Sequence, residues 1–119
     1  MRTMRPKRNP EIVWRLEKGI HEMAWDKAGK GEEYEDLGVM TLMVDGAIHM
    51  LNLPGAEIWS RINGVRPVET IAAEIAHLFH ADPGEMQAAV MEFLNDIEGK
   101  GWVTLSGDSG PAPPRWTAK

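Results

Sequence analysis

The sequence predicts an α+β fold, in which an N-terminal three-stranded antiparallel sheet is followed by three helices in a winged-helix-like order. Two observations lead to this class. In the first half of the chain, apolar and polar residues alternate around Trp14 and on both sides of Asp45-Gly46, which is the pattern of half-buried strands. After Asn52, apolar residues recur every three or four positions, which is the spacing of amphipathic helices.

The first strand is predicted in EIVWRLE, residues 11–17, because Ile12, Trp14 and Leu16 alternate with other side chains. Residues 19–38 follow with several glycines and many charges. We expect this segment to be a long, loose connection that contains at most a ragged strand or one helical turn. The sequence therefore leaves open how the first strand pairs with the later ones.

A β-hairpin is the clearest local prediction. Residues 39–44 and 47–52 are rich in β-prone side chains and flank Asp45-Gly46. Asp-Gly readily takes the positive φ angles of a type I′ turn, whose twist matches that of two paired strands. Alternation then places Ile48 and Met50 on one face of the second strand and Ala47, His49 and Leu51 on the opposite face.

Three helices are predicted after the hairpin. The first covers residues 54–62, because Pro54 is well tolerated in the first turn of a helix. The second begins near Pro67, and the third begins at Pro83 with Asp82 as its N-cap. The residues of the third helix that we expect to face inward are Met86, Val90, Phe93, Leu94 and Ile97.

The predicted organisation is a flexible basic arm over residues 1–9, a folded domain over residues 10–105 and a disordered tail over residues 106–119 that is rich in Pro, Gly and Ser. With 119 residues, 43% of them hydrophobic, the chain is long enough for one ordinary domain. It contains no cysteine, no recognisable signal peptide and no apolar run of membrane-spanning length. We therefore expect a soluble, cytoplasmic protein without disulfides.

Neither nucleic acid binding nor catalysis is favoured by composition or motifs. A net charge of −5 opposes contact with phosphates. Nucleotide-binding glycine loops and the nucleophile elbow of hydrolases are absent from the sequence. His77 and His80, with Glu74 one turn before, would be the candidate metal ligands, but an exposed helix surface explains this spacing better. We expect no catalytic residue, no metal and no cofactor.

A second interpretation is a winged-helix regulatory or protein-interaction module. The last two predicted helices would form a helix-turn-helix, and the hairpin would be the wing. A DNA-reading helix normally carries Arg, Lys, Asn or Gln toward the bases. The last helix here instead presents Glu85, Glu92, Asp96 and Glu98 against Lys100. DNA binding is therefore not expected even if the shape is winged-helix-like.

The run HMLNLPGAEIWSRINGVRPVETIAAEIAHLF, followed by AVMEFLNDIEGKGWV, resembles the PqqD family of small peptide-binding proteins, also called RiPP recognition elements. The opening RNPEIVWRLE is also similar to the first strand of that family. The matching positions are Leu51-Asn52, Gly55, Ile58-Trp59, Asn63-Gly64, Val68, Ile71, Ile75, Phe93-Leu94 and Gly101-Trp102. Two features depart from the family pattern: residues 19–38 are longer than the usual link, and Asn63-Gly64 replaces Asp-Gly.

The resemblance implies a receptor for the leader segment of a ribosomally made precursor peptide. Such domains serve a peptide-modifying enzyme, often a radical-SAM protein, and bind the leader as an extra strand on the third β-strand, against the third helix. The implied peptide-binding residues are Ala47, Ile48, His49, Met50, Leu51 and Asn52 on the strand, with Gln87, Met91, Leu94, Asn95 and Glu98 on the helix. An open strand edge can also pair with its own copy, so a homodimer is among the expected states.

Overall fold

The computed structural model describes residues 4–106. Within them lie β1 (Arg5–Arg8), β2 (Val13–Leu16), α1 (Lys18–Gly29), β3 (Met40–Val44), β4 (Ala47–Leu51), α2 (Leu53–Arg61), α3 (Val68–Phe79), α4 (Pro83–Gly99) and β5 (Val103–Ser106). The chain divides into two compact units. Within the described residues, the central unit comprises residues 10–59 and the terminal unit comprises residues 4–9 and 60–106, so that the division falls within α2.

The central unit is built on an antiparallel sheet in the order β2-β3-β4. Val44 pairs with Ala47 across a two-residue turn, in which Asp45 and Gly46 have φ angles of 50° and 80°. These are the left-handed values of a type I′ turn, so the predicted hairpin is confirmed. The first predicted strand is confirmed as β2, and its open pairing is resolved because Val13 lies opposite Met43 in β3.

One face of this sheet carries the apolar core of the central unit. Met40 and Leu42 of β3 are fully buried, and Leu51 of β4 is nearly so. The amide of Val39 donates to the carbonyl of Leu51 at 2.8 Å, although Met40 is the ladder partner of Leu51. Two residues facing one is the arrangement of a β-bulge, and it lets consecutive residues Val39 and Met40 both be buried.

Helix α1 occupies much of the segment for which the sequence predicted a loose connection, and that prediction is wrong. The helix runs over residues 18–29 and buries Ala24 completely. Lys30 is its C-cap, and the next residue, Gly31, has a φ of 72°, the left-handed conformation typical of the residue after a helix. One ion pair of the helical i,i+4 type, Asp26 with Lys30, lies at its C-terminal end.

The terminal unit contains α3, α4 and a two-stranded antiparallel sheet of β1 and β5. The predicted N-cap of α4 is confirmed, since the Asp82 carboxylate accepts from the amide of Glu85 at 3.0 Å. α3 is followed by its C-cap His80, which has the left-handed φ of 55° and donates its amide to the carbonyl of His77. The core of this unit includes Ile71 and Ile75 of α3, with Val90, Leu94 and Ile97 of α4.

Residues 5–8 differ from the flexible arm that the sequence predicted. They form β1 in register with β5, so that Arg5 lies opposite Ser106. On the other side of β1, the carbonyl of Pro6 accepts from the amide of Gly64 at 2.8 Å. The mixed α+β class is confirmed, but one sheet followed by three helices is wrong in detail, because the described residues form two sheets and four helices. The disorder predicted for the C-terminal tail lies outside the described residues, except at Ser106.

Candidate functional site

The outer edge of β4 is the first feature of the central unit that suggests binding. In the order β2-β3-β4, β4 pairs with β3 on one side, and no strand among residues 4–106 pairs with its other side. Ala47, Ile48, His49 and Met50 are all exposed. An edge strand of this kind presents main-chain donors and acceptors with the spacing that another strand requires.

The register determines which residues of β4 offer those groups. In a hairpin with a two-residue turn, the pair that closes the turn exchanges two hydrogen bonds, and bonded pairs then alternate along the ladder. The closing pair is Val44 and Ala47, so His49 also bonds inward to Leu42. Ile48 and Met50 therefore direct their N–H and C=O groups away from β3, toward the open edge.

The side chains of Ile48 and Met50 lie on the outer face of the sheet, the face opposite Leu42 and the core. Cross-strand pairing aligns Val13, Met43 and Ile48 in one row over three strands. These three side chains are 71%, 45% and 65% exposed. They border a shallow depression of about 270 Å³, which is also lined by Trp14, Arg15 and Thr41. The outer face is thus apolar although it is exposed.

Polar groups close one side of this outer face. The Thr41 hydroxyl donates to the Glu17 carboxylate at 2.7 Å and lies 3.3 Å from the sulfur of Met50. A hydroxyl has one proton, and the carboxylate is the stronger acceptor. Arg15 donates to the same carboxylate at 3.0 Å. The hydrogen bond from Thr41, followed by that from Arg15, lowers the pKa of Glu17.

Leu51 and Asn52, the last two strand residues predicted to bind peptide, have structural roles. Leu51 belongs to the core. Asn52 precedes α2, and its side-chain oxygen accepts from the amide of Gly55 at 3.2 Å, as an N-cap does. Its side-chain nitrogen donates to the carbonyl of Glu35 at 3.4 Å. Asn52 therefore holds the start of α2 and the segment before β3.

The residues of α4 that were predicted to bind peptide belong to the terminal unit and differ in exposure. Gln87 and Asn95 are exposed, while Met91 and Glu98 are partly exposed. Leu94 is fully buried, because it is part of the core of the terminal unit. Of the five, Leu94 is therefore a packing residue and offers no side-chain surface to a ligand.

A polar cluster that the sequence did not predict joins α1 to α2. The Glu57 carboxylate accepts from the indole N–H of Trp25 at 3.0 Å and lies 2.8 Å from a ring nitrogen of His21. The side chains of His21 and Glu57 are 23% and 12% exposed. His21 and Trp25 are one helical turn apart, which is the only local signal that both face the same neighbour.

Among residues 4–106, no three side chains of His, Asp or Glu come together as a metal site would require. The same part of the chain contains no helix that is both long and apolar enough to cross a bilayer.

The sequence of the chain matches one known protein family over most of its folded part. The family model described as coenzyme PQQ synthesis protein D, PqqD, matches residues 34–103, more than half of the 119 residues. The chain belongs to the PqqD family. The PqqD match begins at Tyr34, so β1, β2 and α1 precede it. A search of curated protein sequences finds no match.

A solved structure with a similar fold is the solution NMR structure of the PqqD truncation of Methylobacterium extorquens PqqCD. That protein is described as a functional and stand-alone RiPP recognition element. The two chains share 14% identity, with a TM-score of 0.56, over 82% of this chain and 86% of the other. At this identity the likeness shows the PqqD fold and does not by itself transfer a ligand.

Proposed function

We propose that this PqqD-family protein is a non-catalytic recognition element that binds the leader segment of a ribosomally made precursor peptide. The leader adds as a further strand to the outer edge of β4. The observation that carries the proposal is that edge, where Ile48 and Met50 turn their main-chain groups outward. Main-chain bonding supplies affinity that depends little on sequence, and adjacent side chains then supply selectivity.

The direct test uses a random library of 12-residue peptides displayed on mRNA and selected against the full chain. Peptides that are enriched are synthesised and titrated into ¹⁵N-labelled protein. We expect the largest amide shifts at residues 47–51, with contacts between peptide amides and those of Ile48 and Met50. Failure to enrich any peptide, or shifts confined to other residues, contradicts the proposal.

A proline substitution tests main-chain bonding in particular. The N–H of Ile48 points to the open edge, so Ile48→Pro removes an outward donor and keeps the ladder bonds to β3. We expect this variant to lose at least tenfold in peptide affinity. Ile48→Ala is the matched control, because it shortens the side chain and keeps the N–H. Equal affinities of the two variants would contradict strand addition, provided that both retain the amide shifts of the hairpin.

For α4, the proposal rests on the resemblance to the family. Gln87 and Asn95 are exposed and can be changed to alanine without disturbing a core. A loss of affinity in Gln87→Ala and Asn95→Ala would extend the peptide surface to α4. Unchanged affinity in both would limit the peptide surface to β4.

We also propose that the chemistry on the bound peptide belongs to a partner enzyme, of the radical-SAM class or another peptide-modifying class. The chain has no cysteine and so cannot ligate an iron–sulfur cluster through thiolates. A modifying enzyme encoded near this chain should convert its precursor faster when the chain is added. If conversion is equally fast without the chain or with Ile48→Pro, the presenting role is wrong.

The alternative of a winged-helix regulatory module gains no support from the charges on α4. Glu85 lies in its first turn, and Lys100, the cation that follows the helix, is paired with Asp96 at 3.4 Å. Such a surface repels phosphates. Binding to random duplex DNA that weakens with added salt would nevertheless favour this alternative over peptide binding.

A further inference from the structure

We infer that the outer face of the β2-β3-β4 sheet selects the guest peptide through apolar side chains at alternate positions, above all at the position beside Ile48. The inference rests on the proposed function and makes it more specific. It concerns the exposed face that carries Val13, Met43, Ile48 and Met50, whereas the opposite face is occupied by the core.

The geometry follows from the register. In a sheet, directly opposite residues point to the same face. The row of Val13, Met43 and Ile48 ends at the open edge of β4, and so does the row of Arg15, Thr41 and Met50. A strand that bonds to the outward groups of Ile48 and Met50 necessarily continues both rows. Two of its side chains, two positions apart, then lie on the outer face.

The side chains in these two rows determine which side chains of the guest peptide fit beside them. Ile48 and Met50 are 65% and 50% exposed, so an apolar neighbour removes apolar surface from water on both sides. The depression beside Ile48 has room for about one large side chain, and Met43 at its border can adapt to different shapes.

Charged side chains of the guest peptide are disfavoured at the position beside Ile48. Arg15, a cation that lines the depression, already donates to the Glu17 carboxylate, so the two charges offset each other. A charged guest side chain over Ile48 would lose hydration against the apolar surface of Val13, Met43 and Ile48. The expected guest is therefore a segment with long aliphatic or aromatic residues at i and i+2, rather than a uniformly polar one.

The test uses the best peptide from the mRNA-displayed library and a set of its variants with serine at each position in turn. We expect two positions, two residues apart, to lose about three- to tenfold in affinity when changed to serine. The protein variant Ile48→Thr keeps a β-branched side chain and removes most of the apolar contact. In Ile48→Thr, serine at the position beside residue 48 should have almost no further effect.

Val65→Thr is the matched control, because Val65 is also exposed, at 71%, and lies in the terminal unit outside every strand. It should leave the affinities and the serine effects unchanged. If β4 amides still shift but Ile48→Thr binds every peptide as the parent does, this inference is overturned and strand addition survives. If β4 amides do not shift, the proposed function itself fails.

Two other outcomes also overturn the inference. One is enrichment of Lys, Arg, Asp or Glu at the position beside Ile48. The other is a dimer in sedimentation velocity that Ile48→Thr dissociates, because a second copy of the chain would then be the occupant of the outer face.

Discussion

The two faces of the β2-β3-β4 sheet are made of similar residues and have opposite environments. Leu42 and Met43 are neighbours on β3, yet the first is fully buried and the second is 45% exposed. Alternation along the strand decides which residue reaches the core. The outer face is not needed to fill the core and is nevertheless apolar, which is typical of surfaces that contact a partner. Residues on the buried face therefore stabilise the fold, whereas residues on the outer face are available to a ligand.

The largest loss of stability is expected from a substitution on the buried face. Leu42→Ala should lower the free energy of unfolding by about 2–5 kcal/mol, because it removes a fully buried side chain and leaves a cavity. Urea denaturation followed by tryptophan fluorescence measures it. A loss below about 1 kcal/mol would show that the face described as core is not tightly packed.

The next effect concerns the turn that fixes the register, and thus decides which residues occupy each face. Gly46→Ala should cost about 1–2 kcal/mol, because Gly46 has a φ of 80°. Gly29→Ala is the control: Gly29 lies at the end of α1 with open space around its Cα and no positive φ, so alanine there should be neutral or slightly stabilising. Equal effects of the two substitutions would argue against the type I′ turn.

A smaller loss of stability is expected when a polar side chain at the border of the outer face is changed, and this loss depends on pH. The pKa of Glu17 is lowered in the folded protein from its ordinary value of 4.5, first by the hydrogen bond from Thr41. Its contribution is therefore present above about pH 4.5 and is lost as the pH falls through the folded pKa. Thr41→Val should be less stable than the parent at pH 7, and this difference should shrink at pH 3.

The control for this pH dependence is Thr70→Val, at an exposed position of α3. It should show no change in stability difference between pH 7 and pH 3. A Thr41→Val difference that is equally large at both pH values would mean that the hydroxyl acts through packing and not through the Glu17 carboxylate.

The smallest effect is expected on the apolar part of the outer face. Met43→Ala should change the free energy of unfolding by no more than about 0.5 kcal/mol, since Met43 is half exposed and fills no interior space. Leu42→Ala and Met43→Ala shorten one side chain on each face of the same strand, β3, to alanine. A cost for Met43→Ala as large as that for Leu42→Ala would show that the outer face is covered, for example by a second copy of the chain.

How far the sequence predicts this fold depends on the distance over which each element is stabilised. The hairpin is specified by adjacent residues, and so its turn, register and faces are all predictable from Asp45-Gly46 and the alternation around it. α1 was missed because its partner is remote: Glu57 lies 36 and 32 residues from His21 and Trp25. The stop at Gly31 and the apolar spacing of Ile20, Met23 and Ala24 were the local signals that favoured a helix.

β1 was missed for a similar reason, because its ladder partner β5 is at the other end of the described chain and its strand contains Pro6. For the candidate site, alternation placed Ile48 and Met50 on one face of the second hairpin strand, and in the structure both side chains are exposed. Apolar spacing also placed Leu94 among the inward-facing residues of the third helix, and its complete burial confirms this. Neither pattern could show that Asn52 caps α2, because the cap contact is not encoded in apolar spacing.

The pairing of β1 with β5 has a consequence for the order of folding. Residues 40–51 contact one another within a single hairpin, whereas Arg5 and Ser106 must meet across the length of the described chain. Loop closure between distant residues is slower and less favourable than a local turn. We expect the hairpin, and with it the open edge of β4, to form before β1 and β5 pair. Pulse-labelled amide exchange during refolding should protect Leu42 earlier than Lys7.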